Sequence, residues 1–104
     1  MKRLVLILLL FAGHLSILWA EPFEQAEVTK AINLVSLLPQ ATRVVPGDVV
    51  TGNKAVKTGN DSRAELQFSD LTITRVGSNS LFRFVTGTRE VILDRGTMLF
   101  SAPA

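Results

Sequence analysis

Four acidic side chains, Asp61, Glu65, Asp70 and Glu90, have the plainest capacity for chemistry in this chain. Two facing carboxylates could serve as acid and base at a glycosidic bond. Nothing in their spacing selects such a pair. Arg63, next to Ser62, could clasp a ligand carboxylate; at a strand start it is expected instead to tie its turn to a neighbouring Asp or Glu. Asp61 and Asp70 fall in turn-forming runs, where a carboxylate accepts backbone N–H groups. Gly59 and Gly77 are expected to supply positive φ, and Asn79 and Ser80 to shape a turn. The chain has no Cys, and its one His is His14, inside an apolar N-terminal run. Cys/His zinc sites, Ser-His-Asp triads and Cys-His dyads are therefore not expected beyond that run. No catalytic residue, metal site or cofactor is assigned, and an enzyme is not expected.

Met1-Lys2-Arg3, the apolar stretch Leu4 to Trp19, and Ala20 before Glu21-Pro22 have the three-part form of a secretory signal peptide, residues 1–20. Cleavage is expected after Ala20. Leu18 stands where a smaller residue is usual, so an uncleaved anchor is the alternative; the stretch is short for a membrane span and carries Gly13, His14 and Ser16. Once Lys2 and Arg3 are removed, nine Lys and Arg face nine Asp and Glu, and the net charge is zero. No basic run remains to neutralise phosphates, so nucleic acid is not an expected partner. No membrane span is expected after cleavage. An exported chain without disulfides must rely on apolar burial, on further chain, or on assembly.

These residues must be held by short strands. From Thr42 onward, turn residues recur at Pro46-Gly47-Asp48, Gly52-Asn53, Gly59-Asn60-Asp61, Ser69-Asp70, Gly77-Ser78-Asn79, Gly87 and Asp94-Arg95-Gly96. A spacing of roughly eight to ten residues predicts an all-β fold, with short antiparallel strands in a sandwich or roll. Ala64, Leu66 and Phe68 alternate with Glu65 and Gln67, and Phe82 and Phe84 with Arg83, so each run has one apolar face. Phe68, Phe82, Phe84 and Phe100 are the expected large core anchors, with Phe23 ahead of the domain. Val56 to Phe68 reads as a hairpin turning at Gly59-Asn60-Asp61. Glu24 to Pro39 fits either of two forms: Val28, Ala31, Ile32, Val35 and Leu38 have roughly helical spacing, but several are strand formers. Thr97 to Phe100 reads as a strand with an open edge just before the end of the sequence. The domain is expected to be incomplete at its C-terminus.

Val56-Lys57-Thr58-Gly59, Ser62-Arg63-Ala64-Glu65-Leu66, Phe68-Ser69-Asp70-Leu71-Thr72, Arg75-Val76-Gly77, Asn79-Ser80 and Phe82-Arg83-Phe84 together resemble the FecR domain. The similarity spans residues 26–104, and its most specific part is the run from Thr58 to Leu66. The motif positions are Thr58, Gly59, Ser62, Arg63, Ala64, Leu66, Phe68, Asp70, Gly77 and Asn79, expected to be structural. Leu71 departs from the family pattern, which has Gly after the Asp. The resemblance favours strand for Val28 to Val35.

The resemblance implies an exported, non-enzymatic module of the bacterial cell envelope, periplasmic or secreted, related to sensors that relay a signal from an outer-membrane receptor to a sigma factor. Between Met1 and Ala104 there is neither an anti-sigma segment nor a second apolar span, so the expectation reaches fold and location, not signalling. Two functions are carried forward. One is an interaction or sensor module binding an envelope protein or glycan, with strand-edge pairing or oligomerisation as a route. The other is a structural N-terminal part of a larger secreted protein, without a ligand of its own.

Overall fold

The computed structural model describes residues 22–103; the leader expected over residues 1–20 lies outside them. Ten strands form: β1 (Gln25–Ile32), β2 (Val35–Leu38), β3 (Thr42–Arg43), β4 (Val49–Thr51), β5 (Ala55–Thr58), β6 (Arg63–Phe68), β7 (Ile73–Val76), β8 (Leu81–Phe84), β9 (Val91–Arg95) and β10 (Met98–Ser101). They make two antiparallel five-stranded sheets, ordered β10-β7-β6-β1-β4 and β3-β2-β5-β8-β9. The two sheets face each other as a sandwich, in agreement with the all-β expectation.

Alternation dictates which faces meet. Ala26 and Val28 on β1, Ala64, Leu66 and Phe68 on β6, and Val76 on β7 point inward from the first sheet. Val35 and Leu37 on β2, Val56 on β5, and Phe82 and Phe84 on β8 answer them from the second. Each fully buried large apolar side chain of this kind contributes about 2 kcal/mol. Phe23 belongs to this core rather than preceding it: its ring stacks on Phe68 with centroids 4.0 Å apart and meets the edge of Phe84. Its N–H donates to the Thr88 carbonyl and its own carbonyl accepts from Gly87 N–H. Phe100, expected as an anchor, is 39% exposed; its strand β10 is an edge of the first sheet among the described residues.

Glu24 to Pro39 forms two strands and no helix. The chain breaks at Asn33, which takes φ +63°, a conformation Asn tolerates better than most residues. The break sends β1 and β2 into different sheets. The expected hairpin at Gly59-Asn60-Asp61 is likewise not formed: β5 lies in one sheet and β6 in the other, so this turn is an arch between sheets. The local turn signal was correct, but strand pairing is non-local, and each strand found a better partner elsewhere.

Four such arches, at 33–34, 59–62, 77–80 and 96–97, stack side by side at one end of the sandwich. Hydroxyls fasten each to the next. Leu34 N–H donates to Ser62 Oγ at 3.0 Å, and Asn33 Nδ2 donates to the Asp61 carbonyl. Ser62 N–H donates to Ser78 Oγ, which donates back to the Ser62 carbonyl. Thr58 Oγ1 donates to the Gly77 carbonyl at 2.5 Å and accepts from Ser80 N–H at 2.9 Å. Ser80 Oγ accepts from Thr97 N–H at 2.9 Å.

Gly59 and Gly77 do not carry positive φ, as had been expected; among the described glycines Gly47, Gly87 and Gly96 do. The two are needed for closeness instead. A methyl on Gly77 would overlap Thr97 Oγ1, and one on Gly59 would come to 3.0 Å from Leu34 Cδ2.

Candidate functional site

The two flanks of the sandwich differ. On the β3/β4 flank the strands are only two and three residues long. The crossing segment 44–48 joins them along the same edge, burying Val44, which bonds Val35, and bonding Val28 through Gly47 N–H and the Asp48 carbonyl. Pro46 in this segment has no N–H to offer, and short edges with Pro are poor templates for further pairing. On the other flank β9 and β10 run five and four residues, with no strand beyond them among the described residues. Core-facing Val91, Leu93 and Met98 are only partly covered there, and Leu99 and Phe100 are 61% and 39% exposed.

The direction of the free backbone groups on β10 follows from its partner. Phe68 N–H donates to the Thr72 carbonyl, so by antiparallel alternation Thr74 and Val76 turn their backbone groups to β6, and Arg75 and Ile73 turn theirs to β10. Gly77 N–H donating to the Thr97 carbonyl agrees. Leu99 and Ser101 are thus spent on β7, and Met98 and Phe100 present their N–H and C=O groups outward.

Beside this edge, on the outer face of the first sheet, is a depression of about 430 Å³. Register builds it: Lys30, Glu65, Arg75 and Leu99 stand in one row across β1, β6, β7 and β10. One step along, Arg63, Gly77 and Thr97 also line it, with Thr97 Oγ1 in the place a Gly77 side chain would take. Arg75 Nε donates to Glu65 Oε1 at 2.9 Å. Thr29, brought to this face by a register shift between Val28 and Lys30, donates its hydroxyl to Glu65 Oε2 at 2.8 Å. The Thr29 hydrogen bond is the largest influence holding the Glu65 carboxyl below its ordinary pKa; partial burial opposes it, and Arg75 and Lys30 reinforce it. Glu65 is therefore ionised and already engaged. Three cations surround this single carboxylate, leaving an excess of two positive charges.

The ten motif residues divide by place. Thr58, Gly59, Ser62, Gly77 and Asn79 meet in the arches, where Asn79 takes φ +52°. Ala64, Leu66 and Phe68 are core. Arg63 does not tie its turn to a carboxylate: among the described residues it forms no ion pair. It borders both the depression and a second hollow over Asp61, Ser62 and Ser78. Asp61 contributes φ +48° rather than a carboxylate cap. Asp70 behaves as a turn carboxylate: its Oδ1 accepts from Thr72 N–H at 3.0 Å and its Oδ2 from Arg89 Nη1 at 2.7 Å. Burial opposes its ionisation, but the Thr72 N–H, the nearby Thr72 hydroxyl (outside hydrogen-bond geometry) and Arg89 together hold its pKa below the ordinary value. Arg89 also lies over the Phe23 ring, 4.6 Å from its centroid.

Sequence reasoning missed Lys30, Arg75, Thr97 and Leu99. Arg75 and Gly77 share a face by simple alternation and could have been found; Lys30 was hidden by the irregularity after Val28. Among the described residues no group of three or more His, Cys, Asp or Glu could hold a metal, and no helix is long and apolar enough to cross a membrane. No family model, curated protein or solved structure matches the chain.

Proposed function

We propose that this protein is a non-enzymatic interaction module of the bacterial cell envelope, exported through its leader and built like a FecR-type domain, that captures an extended segment of a partner protein along β10. The observation that carries this reading is the contrast between flanks. One has strands of two and three residues broken by a Pro-bearing crossing segment; on the other, among the described residues, the outward groups of Met98 and Phe100 are unpaired beside half-covered apolar side chains. Strand addition supplies affinity through main-chain hydrogen bonds and specificity through alternate side chains.

The test selects a phage-displayed library of random decapeptides on the purified full chain in zwitterionic detergent, then maps the bound peptides by amide exchange. Selected peptides are expected to protect the N–H groups of Met98 and Phe100. Protection confined to β3 and β4, or no selected peptide at all, overturns the reading. In the second reading, a structural part of a larger secreted protein, Val91, Leu93, Met98 and Phe100 are covered by neighbouring chain. A selection without binders favours it.

A further inference from the structure

We infer that the depression over Gly77 reads a carboxylate, an acidic side chain carried by the strand that β10 receives. The inference rests on strand capture at β10 and adds the chemistry of the captured segment. In a strand laid antiparallel on β10, the residue opposite Thr97 projects on the outer face, in the row of Thr97, Gly77 and Arg63. Strands are spaced by about 4.8 Å, so the incoming backbone lies about 14 Å from that of Arg63. An extended Arg and a Glu side chain can share that span, provided nothing stands between them. Thr97, whose hydroxyl lies over bare Gly77, is the one side chain between them, and it is short enough for the two longer side chains to meet above it.

The charges favour one kind of guest. Arg75 spends its Nε on Glu65 and keeps its remaining guanidinium donors, and Arg63 has no carboxylate partner among the described residues. A guanidinium matches a carboxylate in geometry and charge. Leu99, on the same outer face, supplies an apolar side chain to the wall, suiting the methylenes of a Glu. No aromatic ring lines the depression to stack on a sugar, and its rim is itself the unpaired strand, so an acidic peptide fits better than an acidic glycan.

The experiment measures binding of three eight-residue peptides to the full chain in zwitterionic detergent: alternating valine and glutamate, and the same peptide with glutamine or with lysine in place of glutamate. The glutamate peptide is expected to bind about fivefold tighter than the glutamine one, the scale of one partly exposed charge pair, and the lysine peptide more weakly still. Arg63→Gln is expected to shrink the glutamate preference, Arg75 retaining part of it, while the glutamine peptide still binds. Arg83→Gln, on the other sheet and paired with Asp94, is expected to alter neither. Equal binding of glutamate and glutamine peptides, both lost in Phe100→Pro, overturns the carboxylate inference and leaves strand capture standing. Glutamate-peptide binding that survives both Phe100→Pro and Met98→Pro overturns strand capture instead. Absence of binding by all three peptides overturns the inference outright.

Discussion

At the scale of single residues, the hydroxyls in the arches replace what a disulfide would do elsewhere. Thr58 Oγ1 both donates and accepts within a buried seam. Thr58→Val keeps the shape, removes both bonds and leaves Ser80 N–H without that acceptor, so it is expected to cost about 2 kcal/mol in urea unfolding. Thr74 is the reverse case. Its hydroxyl is buried with no partner, and Thr74→Val is expected to stabilise by about 1 kcal/mol by the same measurement. Leu71 holds φ +71° and is 62% exposed. Leu71→Gly relieves a left-handed strain of about 1–2 kcal/mol, offset by the greater freedom of unfolded Gly, for an expected net gain of about 0.5 kcal/mol. Glu65 and Asp70 both ionise more readily folded than unfolded. The folded state therefore binds fewer protons, and their contribution is present above the ordinary carboxylate range and lost as pH falls through their lowered values. The urea midpoint is expected to hold from pH 7 to about 5 and then decline, with the decline shallower in a Glu65→Gln, Asp70→Asn double variant.

At the scale of elements, strand faces were legible in the sequence because their period is local. Ala64-Leu66-Phe68 and Phe82-Phe84 named the core side of β6 and β8 before any pairing was known. Pairing was not legible. The Gly59-Asn60-Asp61 turn carries the same residues whether it closes a hairpin or arches between sheets, and only β1 beside β6 and β2 beside β5 decide the matter. The same limit hid the site: Arg63 stood out by itself, but Lys30, Arg75 and Thr97 join it only through register. Phe23 escaped because it belongs to no strand run; a single bridge to Thr88 and three ring contacts hold it. Phe23→Ala removes a buried ring from the Phe68, Phe84 and Phe100 cluster and is expected to destabilise by about 3–5 kcal/mol, read as an earlier urea midpoint.

At the scale of the whole molecule, the seam of arches makes the sandwich extensible in one direction. Each arch offers the next a ladder of backbone groups in both sheets, and among the described residues the stack runs from the short β3/β4 edge to the longer β9 and β10 edge. The strand capture proposed above rests on that asymmetry, and the depression over Gly77 beside it is proposed to read charge. The most direct test follows amide exchange at Met98, Leu99, Phe100 and Ser101 in the ¹⁵N-labelled full chain, alone and with the alternating valine–glutamate peptide. The account predicts fast exchange at Met98 and Phe100 and slow exchange at Leu99 and Ser101 without peptide, and slowing of the two fast amides when peptide is added. Met98 and Phe100 amides that exchange no faster than Leu99 in the chain alone, or that stay fast with peptide bound, would contradict it.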